Sequence, residues 1–339
     1  MKTLVIASQY PLPETGGNRI RTMNFVRYFK KRGDVDLAYY RDSATGHQAD
    51  PAFCHEYPLV QTDSPEKSNR FHDLYEQFRY SKPWIVCSYS RKTTQQLTDI
   101  IEYGNYDQII CRYAVSAFPL FFLSQQTRKK VIIDLDDLMT PDLYQAVHGI
   151  MPGMRKIRSF LDMRFYRRFQ VNCSRIGKTL VCSDTDRKLL LKDAPDAELH
   201  VVPNIAPALA LPENYTADGY ANLNTLLFVG NLGYPPNVTG LEWFINSIFS
   251  RLCTERQDVR LLVVGKDPDA RVRAACTANG RIELIENPAD IAPFYDQCGV
   301  VVVPLLSRGG TRIKRLEAGR ARRPIPCMIT TVSRSVMTG

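Results

Sequence analysis

Short apolar runs rich in β-branched residues alternate with helix-like runs along almost the whole chain, and this alternation decides the fold class. "TLVIAS" is followed by "NRIRTMNFVRYFKKRG" and "DVDLAYY", and later come "YDQIICR", "KVIIDLDD", "KTLVCS" and "ELHVVP". Strands covered on both faces read as continuous apolar runs, and parallel neighbours need helical crossovers. The chain is therefore predicted to be α/β, with a doubly wound parallel sheet in its first half. From Pro203 to Asn224 the text becomes "PNIAPALALPENYTADGYANLN", which has no sustained period and reads as a linker. The pattern then restarts with "TLLFVG", a helix at "PNVTGLEWFINSIFSRL", the strand "VRLLVVG", a helix over "DARVRAACTAN", the strand "RIELIE" and a helix at "PADIAPFYDQC". A first domain over residues 1–203, a linker over 204–224 and a second α/β domain over 225–339 are expected. No low-complexity tract and no short internal repeat interrupts this layout.

A chain of 339 residues suits two cores of about 150 residues each. The formal charge of +9 favours anionic partners without choosing among nucleic acid, a lipid surface and a nucleotide. Nine cysteines occur singly, with no C-x-x-C pair, and the five histidines have no ligand spacing. That pattern points to reduced thiols in a cytoplasm and away from disulfides or a structural metal. "MKTLVIASQYPLPE" holds too few apolar residues for a secretory leader, and no run reaches the roughly 18 apolar residues of a membrane span. A soluble protein, or one attached at a membrane surface, is expected. The sequons at Asn172, Asn214 and Asn237 carry no weight without secretion.

The stretch "VVVVPLLSRGGTRIKRLEA", residues 300–318, reads as strand, glycine turn and helix start. Gly309 and Gly310 permit a turn that a Cβ would resist, and Thr311 is a suitable N-cap. Arg312, Lys314 and Glu317 follow within two turns. Free amides and a helix N-terminus make such a junction an anion site, and two added cations suit a diphosphate. Near the N-terminus, "SQYPLPETGGNRIR" sets Gly16 and Gly17 between the first strand and a helix carrying Arg19 and Arg21. This is not the dinucleotide fingerprint, and the loop is either a ligand approach at a strand's carboxyl end or a plain turn.

In "VIIDLDD", Asp134 and Asp136 share one side of a strand, with Asp137 beyond. They could hold a divalent metal, orient a sugar hydroxyl or cap the next helix. "YDQIICRY" brings Arg112 to a strand's end, where its fork could pair with phosphate or with an acid of the fold. "MPGMRKIRSFLDMRFYRRFQ" mixes Arg155, Lys156, Arg158, Arg164, Arg167 and Arg168 with Ile157, Phe160, Leu161, Phe165 and Phe169. It is either a packed helix with a solvated basic face or a helix lying on an anionic bilayer. No groove-reading helix, aromatic platform or RNA-binding module supports nucleic-acid binding.

Taken together, these stretches resemble the group 1, or family 4, retaining glycosyltransferases of GT-B architecture, in particular bacterial exopolysaccharide sugar transferases. The likeness runs through "PLPETGG", "DLDDL", "VVPN", "LLFVGNLGYPPNVTGLEWF", "RLLVVGKDP" and "PLLSRGGTRIKRLEA". It implies two Rossmann-like domains facing a cleft and a nucleotide-sugar donor. It also implies a saccharide or lipid-linked acceptor, and work in the cytoplasm at the inner face of the plasma membrane. It makes Arg312 and Lys314 the diphosphate clamp, Glu317 the ribose contact, and Gly16 and Gly17 a second approach to the donor phosphates. Gly230 and Asn231 open the second domain's contribution, and Arg112 stands where many relatives have a histidine beside the transferring sugar. No metal and no cofactor is implied, since cations and amides balance the leaving diphosphate.

Relatives often carry an arginine directly after the glycine at Gly230 and a glutamate eight residues before Glu317, where this chain has Asn231 and Gly309. After Ala318 the text "GRARRPIPCMITTVSRSVMTG" departs from the family's small and apolar continuation. A truncated second domain is expected from this. A catalytically inactive relative that only binds nucleotide or sugar is the alternative reading.

Overall fold

The computed structural model describes residues 1–14, 16–41, 50–60, 70–83, 90–136, 138, 154–205, 224–304 and 313–325. The chain divides into two compact units, passing from the first to the second between Asn204 and Ile205.

The first unit carries a sheet of strands β1 (Lys2–Ala7), β2 (Asp34–Arg41), β3 (Glu56–Val60), β4 (Gln108–Arg112), β5 (Val131–Asp136), β6 (Lys178–Val181) and β7 (Leu199–Val201). Its order is β3-β2-β1-β4-β5-β6-β7, and every pairing is parallel. Strand order reverses between β1 and β4, so the crevice outside their carboxyl ends is where such sheets take ligands.

Alternate residues of β1 serve opposite faces. Leu4 and Ile6 pack with Ile109, Cys111 and Ile133, while Val5 and Ala7 pack with Leu37, Tyr39 and Ile110. All ten are buried, as the continuous apolar runs of the sequence require.

The second unit has strands β8 (Thr225–Asn231), β9 (Arg260–Lys266), β10 (Ile282–Glu286) and β11 (Val300–Val301) in the order β10-β9-β8-β11, all parallel. Here order reverses between β8 and β11. Phe228, Leu261 and Val263 form one core with Val238, Leu241 and Phe249, and Leu227, Val229, Leu262 and Val264 form the other with Tyr295 and Ala318.

Two expected helices differ in detail. The run "PNVTGLEWFINSIFSRL" is helical from Pro235 to Glu255 but widens to π geometry over Phe244–Phe249. "PADIAPFYDQC" yields only Ala292–Asp296, since Pro293 occupies the first turn and the Asp290 carboxylate accepts from the Ala292 amide at 3.0 Å. Among the described residues no helix is long and apolar enough to cross a membrane.

Candidate functional site

In the first unit the loop after β1 leads into the helix Gly17–Lys30, whose N-cap Gly16 has φ of 96°. That backbone suits glycine, and a Cβ there would meet nothing within 4 Å, so the approach to the first-turn amides is open. Behind it lies a buried four-ion cluster. Arg21, from the same helix, donates through Nε to Asp134 Oδ2 at 2.7 Å and through Nη2 to Oδ1 at 2.8 Å. Its Nη1 donates to the Val202 carbonyl at 2.8 Å and to Asn204 Oδ1 at 3.0 Å. Arg112 donates through Nη1 to Asp134, through Nη2 to Asp136 at 3.2 Å and through Nε to Thr22 Oγ1 at 3.2 Å. Tyr113 donates its hydroxyl to Asp136 at 2.8 Å.

Two guanidiniums and two carboxylates thus neutralise one another in a region from which water is excluded. Burying such charges costs several kcal/mol each unless every donor and lone pair is met. Burial opposes the charged form of Asp136, yet Arg112, Arg21 and Tyr113 outweigh it and hold its carboxyl below the usual range. Burial likewise works against the charge of Arg112, and Asp134 with Asp136 reverses the sign, so its pKa is raised.

β5 bears the mark of this arrangement. Its register with β6 shifts between Asp134 and Asp136, and Asp136 has a positive φ of 56°, as does its partner Tyr113 at 67°.

Arg112 and Asp134 have no exposed surface and Asp136 is 5 % exposed. Of the two alternatives open in the sequence for Arg112, the structure displays the ion pair with acids of the fold, and Asp134 and Asp136 bind guanidiniums, a use the sequence reading did not raise. Each nitrogen of the Arg112 guanidinium has a partner within the fold. Sequence reasoning missed Arg21, Thr22, Tyr113 and Asn204 as members of this cluster. Only the position of Arg21, one turn into the helix after the glycine pair, hinted at it.

In the second unit Gly230, next to last in β8, stands opposite Gly265 of β9. The strands approach so closely that a Cβ on Gly265 would lie 1.8 Å from the Gly230 carbonyl oxygen. Phe228 and Gly230, two apart, face the same side of β8. The helix Ile313–Arg320 brings Lys314 to that side. Its ammonium lies 4.3 Å from the centroid of the Phe228 ring and donates to Asn237 Oδ1 at 2.9 Å. Asn237 is buried and donates from Nδ2 to the Asn231 carbonyl at 2.6 Å, so one amide ties the lysine to the end of β8. The exposed Asn231 side chain accepts from the Gly233 amide at 2.8 Å and closes the following turn.

Glu317 stands three residues beyond Lys314, buried, and accepts from the Tyr295 hydroxyl at 3.4 Å. Burial pushes its carboxyl above the ordinary range, with Lys314 and Tyr295 opposing that shift. The structure thus brings together Gly230, Asn231, Lys314 and Glu317, and adds Asn237, Phe228 and Tyr295. Gly309, Gly310, Thr311, Arg312 and Asp137 lie outside the described residues. Among the described residues no group of three or more His, Cys, Asp and Glu side chains could hold a metal ion.

Chemically, this corner is a cation set over an apolar ring at a sheet's switch point, with a buried carboxylate one turn away. It can hold an anion and a polyol side by side.

Residues 224–335 match the sequence pattern of the family "Glycosyl transferases group 1". Over 335 residues the chain is 27% identical to an uncharacterized 44.6 kDa protein in the cps region of Klebsiella pneumoniae, covering 94% of this chain and 80% of that protein. Among solved structures, Anabaena Alr3699/HepE in complex with UDP and glucose superposes with a TM-score of 0.62 at 14% identity, covering 96% of this chain and 80% of that one. WaaG, a glycosyltransferase involved in lipopolysaccharide biosynthesis, gives 0.60 at 12% identity with the same coverage. Sucrose-phosphate synthase from Thermosynechococcus elongatus gives 0.62 at 15% identity, covering 96% and 80%. At such identities these likenesses show the fold, which is the α/β GT-B fold.

Proposed function

We propose that the protein is a retaining, family 4 glycosyltransferase that moves a sugar from a nucleotide-sugar donor to a saccharide or lipid-linked acceptor, without a metal ion. One observation carries the reading. The part of the chain that fits the group 1 family pattern is the part in which Gly230, Lys314 and Glu317 converge. The UDP held by the Anabaena structure and the cps-region setting of the Klebsiella relative support the donor class and a role in exopolysaccharide synthesis.

In this reading Lys314 and Arg312, with amides of Gly309, Gly310 and Thr311, neutralise the leaving diphosphate. Glu317 accepts hydrogen bonds from the ribose hydroxyls, and the amides at Gly16 and Gly17 reach donor phosphate. The bond between the anomeric carbon and the diphosphate oxygen breaks as the acceptor oxygen bonds to the same face of that carbon. The acceptor's proton passes to the departing phosphate oxygen. Positioning and charge stabilisation are then the protein's share, about 3 kcal/mol for each well-placed donor. Asp134 and Asp136 are engaged by Arg21 and Arg112, which favours cationic over metal-based neutralisation of the leaving group. Work in the cytoplasm, at the inner face of the plasma membrane, belongs to the same proposal.

A binding-only relative is the second reading, favoured by Asn231, which leaves the clamp one charge short of the family pattern. Incubation with a panel of nucleotide sugars separates the two. Release of nucleoside diphosphate from one donor supports transfer, and nucleotide binding with no turnover of any donor supports the second reading.

A further inference from the structure

The arginines of the helix Met154–Cys173 have no part in the site described above. Arg164, Arg167, Arg168, Val171 and Asn172 lie along one face of it at helical spacing, with Arg175 just past its end. That face walls an open pocket of about 620 Å³, also lined by Ser81, Leu189 and Asp193.

Arg175 pairs with Asp196 at 3.3 Å, outside the pocket, so Arg164, Arg167 and Arg168 face one carboxylate within it, Asp193. Asp193 is committed to Arg167, at 3.0 Å from Nε and 2.9 Å from Nη2, and that Nη2 also donates to the Leu189 carbonyl at 2.8 Å. The remaining nitrogen of Arg167, Nη1, is buried without a hydrogen-bond partner. Like charges at helical spacing repel, and an anion between Arg164 and Arg168 relieves that repulsion.

The opposite face of the helix is taken up by the fold. Tyr166 and Phe169 are buried, and Phe165 and Phe169 make ring contacts with Phe78 and Phe121. Gly177, just past the helix, abuts the Val131 carbonyl at the start of β5. The helix thus ends at the amino edge of the sheet, whereas Arg112 and Asp136 mark its carboxyl edge.

We infer that this cavity is a second anion site, for a compact ligand carrying two or more phosphate-type charges, free or as a headgroup, held by fork-shaped contacts from Arg164 and Arg168. The inference stands whether or not the chain transfers sugar.

Inorganic pyrophosphate is the probe, with local hydrogen exchange as the readout, because it separates this cavity from the corner at Lys314. Pyrophosphate is expected to slow exchange over residues 163–175 and 189–193 in the wild type and equally in Lys314→Ala. In Arg164→Gln/Arg168→Gln the apparent affinity of that protection is expected to fall at least about tenfold. Arg164→Lys/Arg168→Lys keeps the charge and should lose less, which separates a binding loss from a folding defect. Protection confined to the second unit, or unchanged in the glutamine variant, overturns the inference. Phe78, Phe160 and Leu161 are exposed beside this face, so phosphatidylglycerol vesicles form a second arm. Capture on vesicles alone, with no protection by pyrophosphate, also overturns it and makes the face a membrane surface. Protection by pyrophosphate together with capture supports it and identifies the source as a headgroup.

Discussion

A Cβ placed on Gly230 would lie 2.3 Å from the ammonium nitrogen of Lys314 and 2.8 Å from its Cε. The glycine next to last in β8 is thus the floor on which the lysine rests, and its missing side chain is the space the cation uses. Because the crowded atoms are the far end of a flexible chain, Gly230→Ala is expected to move the ammonium without unfolding the sheet. Affinity for a nucleoside diphosphate should drop about tenfold while stability changes by about 1 kcal/mol or less. Gly265→Ala is the contrasting case, since its Cβ would strike backbone at 1.8 Å, and it should lower the urea midpoint first.

Removing one member of the buried ion cluster should be expensive. Arg112→Met leaves Asp134 and Asp136 in water-free surroundings with Arg21 alone to balance them. A loss of about 3–5 kcal/mol in urea unfolding of the first unit is expected. Arg112→Met combined with Asp136→Leu should cost less than the sum of the two single changes, since the pair is removed together. Additive losses would show that the two residues are not coupled.

The two acids of opposite shift give opposite pH dependences. Asp136 is held below its unfolded value of about 3.9, so its contribution is present above that pH and is lost as pH falls through the folded value. Asp136→Asn should flatten the acid limb of stability. Glu317 is held above its unfolded value of about 4.3, so folding is relatively favoured below that pH and weakened as pH rises through the folded value. Glu317→Gln is therefore expected to stabilise the second unit at neutral pH, measured by thermal unfolding between pH 4 and 8. No gain at neutral pH would mean that the desolvation cost of Glu317 has been misjudged.

Loss of the same carboxylate should also injure binding. Glu317→Ala is expected to weaken a nucleoside diphosphate by about tenfold or more, while free pyrophosphate, which lacks a ribose, is held nearly as before. Calorimetry on the two ligands distinguishes them, and equal losses would place the carboxylate on the phosphate side.

Much of this was legible in the sequence because strands buried on both faces leave a strong local signal. "TLVIA" and "RLLVVG" read as strands without any tertiary information, and the proline- and alanine-rich stretch after Pro203 separated the two halves. Lys314 and Glu317 could be singled out because glycine turns and charges sit close together in the chain. The partners could not. Arg21 meets Asp134 across 113 positions and Lys314 meets Asn237 across 77, and no local period encodes such meetings. Asn237 appeared in the sequence only as a sequon, and its actual use, joining the Asn231 carbonyl to Lys314, depends on where two elements of the second unit are brought together. Arg112 shows the same limit. A cation at a strand's carboxyl end can face a ligand or an acid of its own fold, and the choice rests on the depth of Asp134 and Asp136.

Titration of the wild type and of Lys314→Ala with UDP, followed calorimetrically, tests the proposed site most directly. Wild-type binding with a loss of at least about tenfold in the variant, at unchanged thermal stability, is the expected result. Equal affinity in the two proteins would contradict the assignment of this ammonium to the diphosphate.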